Sequence, residues 1–216
     1  MYYLHPMYPK SVITISQILD AAEQQFILHQ YDDITMNALA EAANVTKGAL
    51  YHHFSSKGSL FLAMMERYLA TLQKALVVAV ACEGSARQRL ACLTQIYLQL
   101  PLEKQRVIQL VRRDANRFDG AARANLVAAY QRALPEQIEK IVQDGIRQGE
   151  IQAGDSRLLS WQYVAIVEVG LSAYARQRLG STAEMAVYLT RIFFDGVAVK
   201  IGRQGNRETG KQGNRS

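Results

Sequence analysis

Residues Thr35–Lys57, TMNALAEAANVTKGALYHHFSSK, decide the fold class of this chain. Thr35 is a favourable N-cap, and Leu39, Ala42 and Ala43 follow it at helical spacing. Asn44 and Val45 interrupt the pattern, because asparagine tolerates the left-handed conformation in which helices commonly end. Thr46 caps a second helix over 47–54, where Ala49, Leu50, His53 and Phe54 repeat at i, i+3 and i+4. Ser56 offers a third cap just before Lys57. Two helices of about two turns, joined by a tight turn of three or four residues, make a helix-turn-helix whose second helix can enter a DNA major groove.

The second helix has side chains suited to that task. Burying Leu50 and Phe54 turns Lys47, Gly48, Tyr51 and His52 outward on one arc. Lys47 can hydrogen-bond guanine O6 and N7 or a phosphate. Gly48 has no side chain, so the backbone can approach a groove floor closely. Tyr51 and His52 can donate to phosphate oxygens. Lys57 falls in the first turn of the next helix, where a cation opposes the helix dipole, so it is expected to serve a phosphate.

Residues 18–61 resemble the DNA-binding domain of the TetR family of bacterial transcriptional repressors. The matching features are ILDAA with Phe26, Tyr31 with Thr35, LAEAA, VTKGALYHHF, and Lys57 followed by Leu60 and Phe61. The resemblance implies a homodimer, a nearly palindromic double-stranded operator, and a C-terminal domain whose ligand releases DNA. Family contacts carried onto this chain fall on Thr35, Thr46, Lys47, Gly48, Tyr51, His52 and Lys57. Gln30 and Asn44 stand where the family usually has glycine after its first two helices. A non-glycine residue held left-handed costs about 1 kcal/mol or more, and asparagine tolerates this better than glutamine.

Composition agrees with an all-α protein. Four prolines in 216 residues and frequent Ala, Leu, Gln and Arg favour helix, and no hairpin signal or fixed-period repeat is present. The formal net charge of +6 sits in the wrong place to explain DNA affinity. Residues 1–57 carry three lysines against five acids, a formal −2, whereas five cations and one acid give residues 200–216 a formal +4. A few placed cations, not a basic field, must therefore hold DNA, with a modest salt dependence. Cys82 and Cys92 have neither metal-site nor CxxC spacing, so they read as packed free thiols, with a redox pair across a helical hairpin as the alternative. No charged leader with a long apolar run begins the chain, and the longest apolar run, 75–82, is too short to span a bilayer. A cytoplasmic location is expected, with no membrane contact.

Along the chain, residues 1–10 read as an arm, either a disordered terminus or a contact to DNA backbone or minor groove. Residues 11–57 form the helix-turn-helix domain, whose first helix buries Ile15, Ile18, Leu19, Ala22 and Phe26 and leaves Asp20 and Glu23 outside that stripe, where they are expected to be solvated or to cap locally. Residues 58–201 form a helical ligand-binding and dimerisation domain. A long helix from Ser56 to about 83 joins the two without a flexible linker, which suits allosteric coupling. Helices then run over 85–100, 102–117, 119–134 and 135–148. Asp155 caps a helix continuing over 156–179, and Thr182 caps a last one reaching about Ile201. Residues 202–216 have almost no apolar content and read as a disordered basic tail, with nonspecific DNA attraction as the alternative.

On the last helix, Met185, Leu189, Ile192, Phe193 and Gly196 share one face, and Ala165, Gly170, Ser172 and Ala173 on the preceding helix allow close approach. Together they are expected to form a four-helix dimer interface, with intramolecular core as the competing reading for some positions. Met65, Tyr68, Ile96, Tyr97, Phe118, Tyr130 and Trp161 are candidate lining for a pocket that takes a small, largely apolar effector, although core packing is the favoured reading for any one of them taken alone. Glu168 is the one acid between Asp155 and Glu184. A buried carboxylate needs a partner, either an arginine such as Arg112 or Arg113 or a cationic or hydroxylated ligand. No GxSxG, HExxH, P-loop or CxxC pattern supports an enzyme, and neither a metal nor a cofactor is expected. The reading is a dimeric, ligand-responsive transcriptional regulator, most simply a repressor; the alternative is a DNA-binding protein with no ligand switch.

Overall fold

The computed structural model describes residues 9–197, with side chains from Thr14 to Gly196. Among the described residues there are eleven α-helices and no strands. The first four are α1 (Pro9–Leu28), α2 (Met36–Ala42), α3 (Lys47–His53) and α4 (Lys57–Ala81). Then come α5 (Ala86–Leu98), α6 (Leu102–Asp114), α7 (Gly120–Ala133) and α8 (Pro135–Arg147). The last are α9 (Ser156–Gly170), α10 (Ala173–Leu179) and α11 (Thr182–Val197). Residues 1–8 and 198–216, which hold most of the arm and all of the basic tail, lie outside the described residues.

Local chemistry sets most of the boundaries. The Thr35 hydroxyl accepts from the Ala38 amide and that of Thr46 from the Ala49 amide, each at 3.1 Å. Each cap satisfies one of the amides that a helix start leaves without a partner. Ser56 and Ser59 form a reciprocal capping box at the head of α4. Asn44 is the single non-glycine residue with positive φ (51°) among the described residues, and its left-handed turn is what allows α3 to follow α2 so closely. Gln30 differs from the expectation of a left-handed turn: its φ of −69° and ψ of 146° are extended, so it bears no steric cost. A short 3-10 turn, Tyr31–Asp33, takes over the change of direction there.

Two expectations about the C-terminal helices need correction. The helix expected over 156–179 breaks after Gly170. Ser172 turns extended (ψ 149°) and its hydroxyl accepts from the Ala175 amide, which starts α10 as a separate segment. Gly170 has its own reason: a Cβ there would lie 2.6 Å from Cδ1 of Leu189, so glycine lets α9 and α11 close on each other within the subunit. Ser181, and not Thr182, caps α11. Its hydroxyl accepts from the Glu184 amide, while the Glu184 carboxylate accepts from the Ser181 amide and hydroxyl. Those donated hydrogen bonds hold the Glu184 carboxyl below its usual range.

The core is continuous from the N-terminal helices into the rest of the chain. Ile18, Leu19, Ala22 and Phe26 of α1 meet Leu39, Leu50 and Leu60–Phe61, and the buried face of α4 runs on through Met65, Leu69, Leu72 and Leu76. A long helix with one buried stripe extending through both regions supplies a stiff connection between them. At the junction, three rings pack around Phe61. Its ring lies 4.9 Å from Phe26 and 5.6 Å from Tyr31, edge-on to both, and stacks on Phe118 at 5.5 Å.

Candidate nucleic-acid interface and effector cleft

The reading surface follows from what α3 buries. Leu50 is fully enclosed and Phe54 nearly so, which fixes the rotation of the helix. Lys47, Gly48, Tyr51 and His52 are consequently exposed together, while His53 is half-buried with its ring 5.1 Å from that of His52. The Lys47 ammonium lies 5.9 Å from the centre of the Tyr51 ring, so a cation, an aromatic edge and a phenol share one patch. A Cβ on Gly48 would come no nearer than 4.0 Å to any neighbour, the Thr46 hydroxyl. Nothing within the chain therefore requires glycine there. Thr35 and Thr46 accept through their hydroxyl oxygens as caps, which leaves both hydroxyl hydrogens free to donate outward.

Lys57 is placed differently from the phosphate ligand expected. Its ammonium donates to the carbonyls of Tyr31 (2.6 Å) and Ile34 (2.7 Å) and sits over the Tyr31 ring at 4.4 Å. Two of its three protons are thus committed to closing the turn between α1 and α2.

A second network ties α6 to the N-terminal helices. Glu23, expected to be solvated, is buried and accepts from Lys104 of α6 at 2.5 Å. Arg113 donates to the Phe26 carbonyl at 3.2 Å, and Arg117 donates to both carboxylate oxygens of Asp32. The fully buried Asp114 accepts from Arg113 and Arg117 and orients both guanidinium groups. Asp20 pairs with Arg67 of α4 at 2.6 Å. The sequence pattern did not single out this set. Charges on an amphipathic helix ordinarily read as its solvated face, and the one available hint was an acid flanked by arginines in RRDANR.

The proposed pocket residues divide among several places. Tyr130 and Trp161, with Arg112, Gln131, Val164 and Ala165, line a cleft of about 250 Å³ between α6, α7 and α9. Glu168 lies one helical turn beyond Val164 and accepts from Arg112. Burial, then the Glu168 charge, pushes the Tyr130 phenol up to about 12. Tyr97 is buried with its hydroxyl directed at the Gln105 carbonyl, and its phenol is likewise held above its usual range by burial first. Tyr68 donates to the Lys104 carbonyl and lines a separate, more apolar cleft of about 440 Å³ between α1, α4 and α6. Met65 and Ile96 belong to the general core. Phe118 is corrected: its stacking on Phe61 places it at the junction, away from the Tyr130 cleft.

The expected dimer face is also corrected. Met185, Leu189 and Phe193 are buried inside the subunit, Met185 and Leu189 beside Leu98, and Phe193 edge-on to Tyr163 at 5.1 Å. Of that set, Ile192 and Gly196 are exposed. Besides Leu158 and Trp161 near the start of α9, the large apolar residues that α9, α10 and α11 leave exposed are Val169, Tyr174, Val187, Tyr188 and Ile192. Cys82 and Cys92 are free thiols, both partly buried, and no cluster of metal-ligating side chains occurs among the described residues. Nor is any described helix long and apolar enough to cross a membrane.

Residues 18–64 match the family model described as bacterial regulatory proteins, tetR family. The chain is 35% identical over 81 residues to the transcriptional activator FasR of Mycolicibacterium smegmatis, covering 38% of this chain and 37% of the relative. It is 43% identical over 51 residues to the probable acrEF/envCD operon repressor of Escherichia coli K12, covering 24% and 23%. The chain thus spans well under half the length of these curated relatives. In structure it resembles the Bacillus subtilis regulator FadR, solved with stearoyl-CoA, with a TM-score of 0.70 at 16% identity over 84% of this chain and 98% of that one. That similarity extends through the C-terminal helices but speaks for the fold alone.

Proposed function

We propose that this chain, a TetR-family transcriptional regulator and not an enzyme, acts as a homodimeric repressor that binds a palindromic operator and lets go of it when a small molecule occupies its C-terminal region. The observation that carries the reading is the exposed arc Lys47, Gly48, Tyr51 and His52 on α3, held outward by buried Leu50. Lys47 reaches a base edge or phosphate, Tyr51 and His52 donate to phosphates, and Gly48 admits the close backbone approach that nothing in the chain itself requires. Thr35 and Thr46 add hydroxyl donors from the two helix starts. Lys57 is left out of this surface, since its ammonium serves main-chain carbonyls.

A second copy is proposed to cover Val169, Val187, Tyr188 and Ile192. Such a cluster of exposed apolar side chains on two neighbouring helices is unfavourable in water and suits a four-helix seam. Replacing Ile192 by aspartate should convert dimer to monomer at micromolar concentration without unfolding the chain, as read by analytical ultracentrifugation. A variant still dimeric would place the seam elsewhere.

The effector is proposed to act through α6. This helix lines the Tyr130 cleft with Arg112, and it grips the DNA-binding helices through Lys104–Glu23, the Arg113–Phe26 carbonyl bond and the nearby Arg117–Asp32 pair. A ligand that shifts α6 therefore tilts α1, and with it the spacing of two reading heads. Genomic fragments retained by the protein, followed by a small-molecule screen for their release, test the switch. An effector that weakens operator binding by some factor must itself be bound more weakly by that same factor when operator is present. Tight operator binding that no small molecule relieves would leave a DNA-binding protein without a ligand switch.

A further inference from the structure

We propose that the cleft between α6, α7 and α9 is a binding site for a compact organic cation with an apolar body, which takes the place of the Arg112 guanidinium against the Glu168 carboxylate. The two members of the ion pair are unequally exposed. The Arg112 side chain is 62% exposed, whereas that of Glu168 is 23% exposed and carried by a helix packed against α8 and α11. The arginine can swing into water at small cost, because an ammonium or guanidinium head is readily rehydrated while its stem stays on the surface. The carboxylate has no such exit and needs a positive partner wherever Arg112 goes.

The two possible kinds of charged ligand therefore differ. An anion drawn to Arg112 would pull it from Glu168 and strand a mostly buried carboxylate. A cation drawn to Glu168 replaces one positive partner with another. The surroundings favour the second. Burial first, and the Glu168 charge second, keep the neighbouring Tyr130 phenol neutral, so the phenol sets no competing negative charge beside that carboxylate. Tyr130 of α7 and Trp161 of α9 line the cleft with two aromatic side chains, and Val164 and Ala165 add apolar surface. Aromatic side chains attract cations through the ring quadrupole, and more strongly where the site excludes water. The cleft volume of about 250 Å³ suits one compact group. The inference deepens the effector reading above and rests on it for the consequence of binding, not for binding itself.

The test uses the full chain and its single tryptophan, Trp161, whose fluorescence reports directly from the rim. Three probes of similar size are titrated: phenyltrimethylammonium, the neutral tert-butylbenzene and the anion benzenesulfonate, each confirmed by calorimetry. The expected result is saturable binding of the cation, at least about tenfold tighter than either of the others. Glu168→Gln, which keeps the shape and removes the charge, should weaken the cation about tenfold or more. Arg112→Gln, which removes the tethered competitor, should tighten it; this second variant keeps the proposal testable if Glu168→Gln fails to fold. Preference for the sulfonate, an indifferent Glu168→Gln variant, weaker cation binding by Arg112→Gln, or no saturable cation binding by wild type and Arg112→Gln would each overturn the assignment. Cation binding that leaves operator affinity unchanged would support this site while removing the switch proposed above.

Discussion

Replacing Phe61 by alanine is expected to lower the unfolding free energy by about 3–5 kcal/mol, the range for emptying a buried aromatic site. Phe61 is fully enclosed and stands at the centre of the junction, edge-on to Phe26 and Tyr31 and stacked on Phe118. Each ring pair contributes about 0.5–1.5 kcal/mol beyond burial, and none of the three partners can collapse into the space. Phe26 belongs to α1, Tyr31 is held by Lys57, and Phe118 sits beside the Arg117–Asp32 pair. The loss should therefore loosen the DNA-binding helices from the remainder as well as reduce stability. Urea unfolding followed by circular dichroism measures the first effect; hydrogen exchange of amides in α1 and α6 measures the second. A change below about 1 kcal/mol, within the range of a surface substitution, would mean that the junction is not packed in this way.

The second large effect concerns DNA and leaves stability alone. Lys47→Ala and Tyr51→Phe should each weaken operator binding by about 1–3 kcal/mol. Both side chains are exposed, so the unfolding free energy should stay within about 0.5 kcal/mol of wild type. The salt dependence separates the two roles open to Lys47. If it neutralises a phosphate, its removal lowers the slope of log affinity against log salt by about 1 per contact; if it reads guanine, affinity falls with the slope nearly unchanged and specificity relaxes at one position. The N-terminal region carries a formal −2 over residues 1–57, so loss of even one placed cation should be conspicuous. Affinity unchanged in both variants would remove α3 as the reading surface.

The helix-turn-helix was legible because its determinants are local. Thr35, Thr46 and Ser56 cap helices through hydroxyls three residues from the amides they satisfy, and Asn44 turns left-handed where the apolar spacing lapses. What escaped depends on partners distant in sequence. Glu23 looked solvated until Lys104, eighty-one residues away, came to rest on it. Helical spacing shows that Met185, Leu189 and Phe193 share a face, but not which neighbour covers it. The helix α11 has two apolar strips, and the exposed one carries Val187, Tyr188 and Ile192. Lys57 misled through a sound local rule: a cation in a first helical turn is unfavourable, and main-chain carbonyls of the preceding turn supplied the compensation expected from DNA. The effector region was the least legible. Aromatic residues at helical spacing serve core and cleft alike, and tertiary packing alone sent Tyr130 and Trp161 to one cleft, Tyr68 to another and Phe118 to the junction.

The most direct test of the central claim is fluorescence anisotropy with a duplex selected from genomic fragments, titrated at low salt with wild type and with the Lys47→Ala/Tyr51→Phe double variant. The account predicts saturation at two chains per site for wild type, resistance to excess unrelated duplex, and a loss of about 2 kcal/mol or more in the folded double variant. Equal affinity of the two proteins for that duplex, or equal affinity of wild type for every duplex offered, would contradict it.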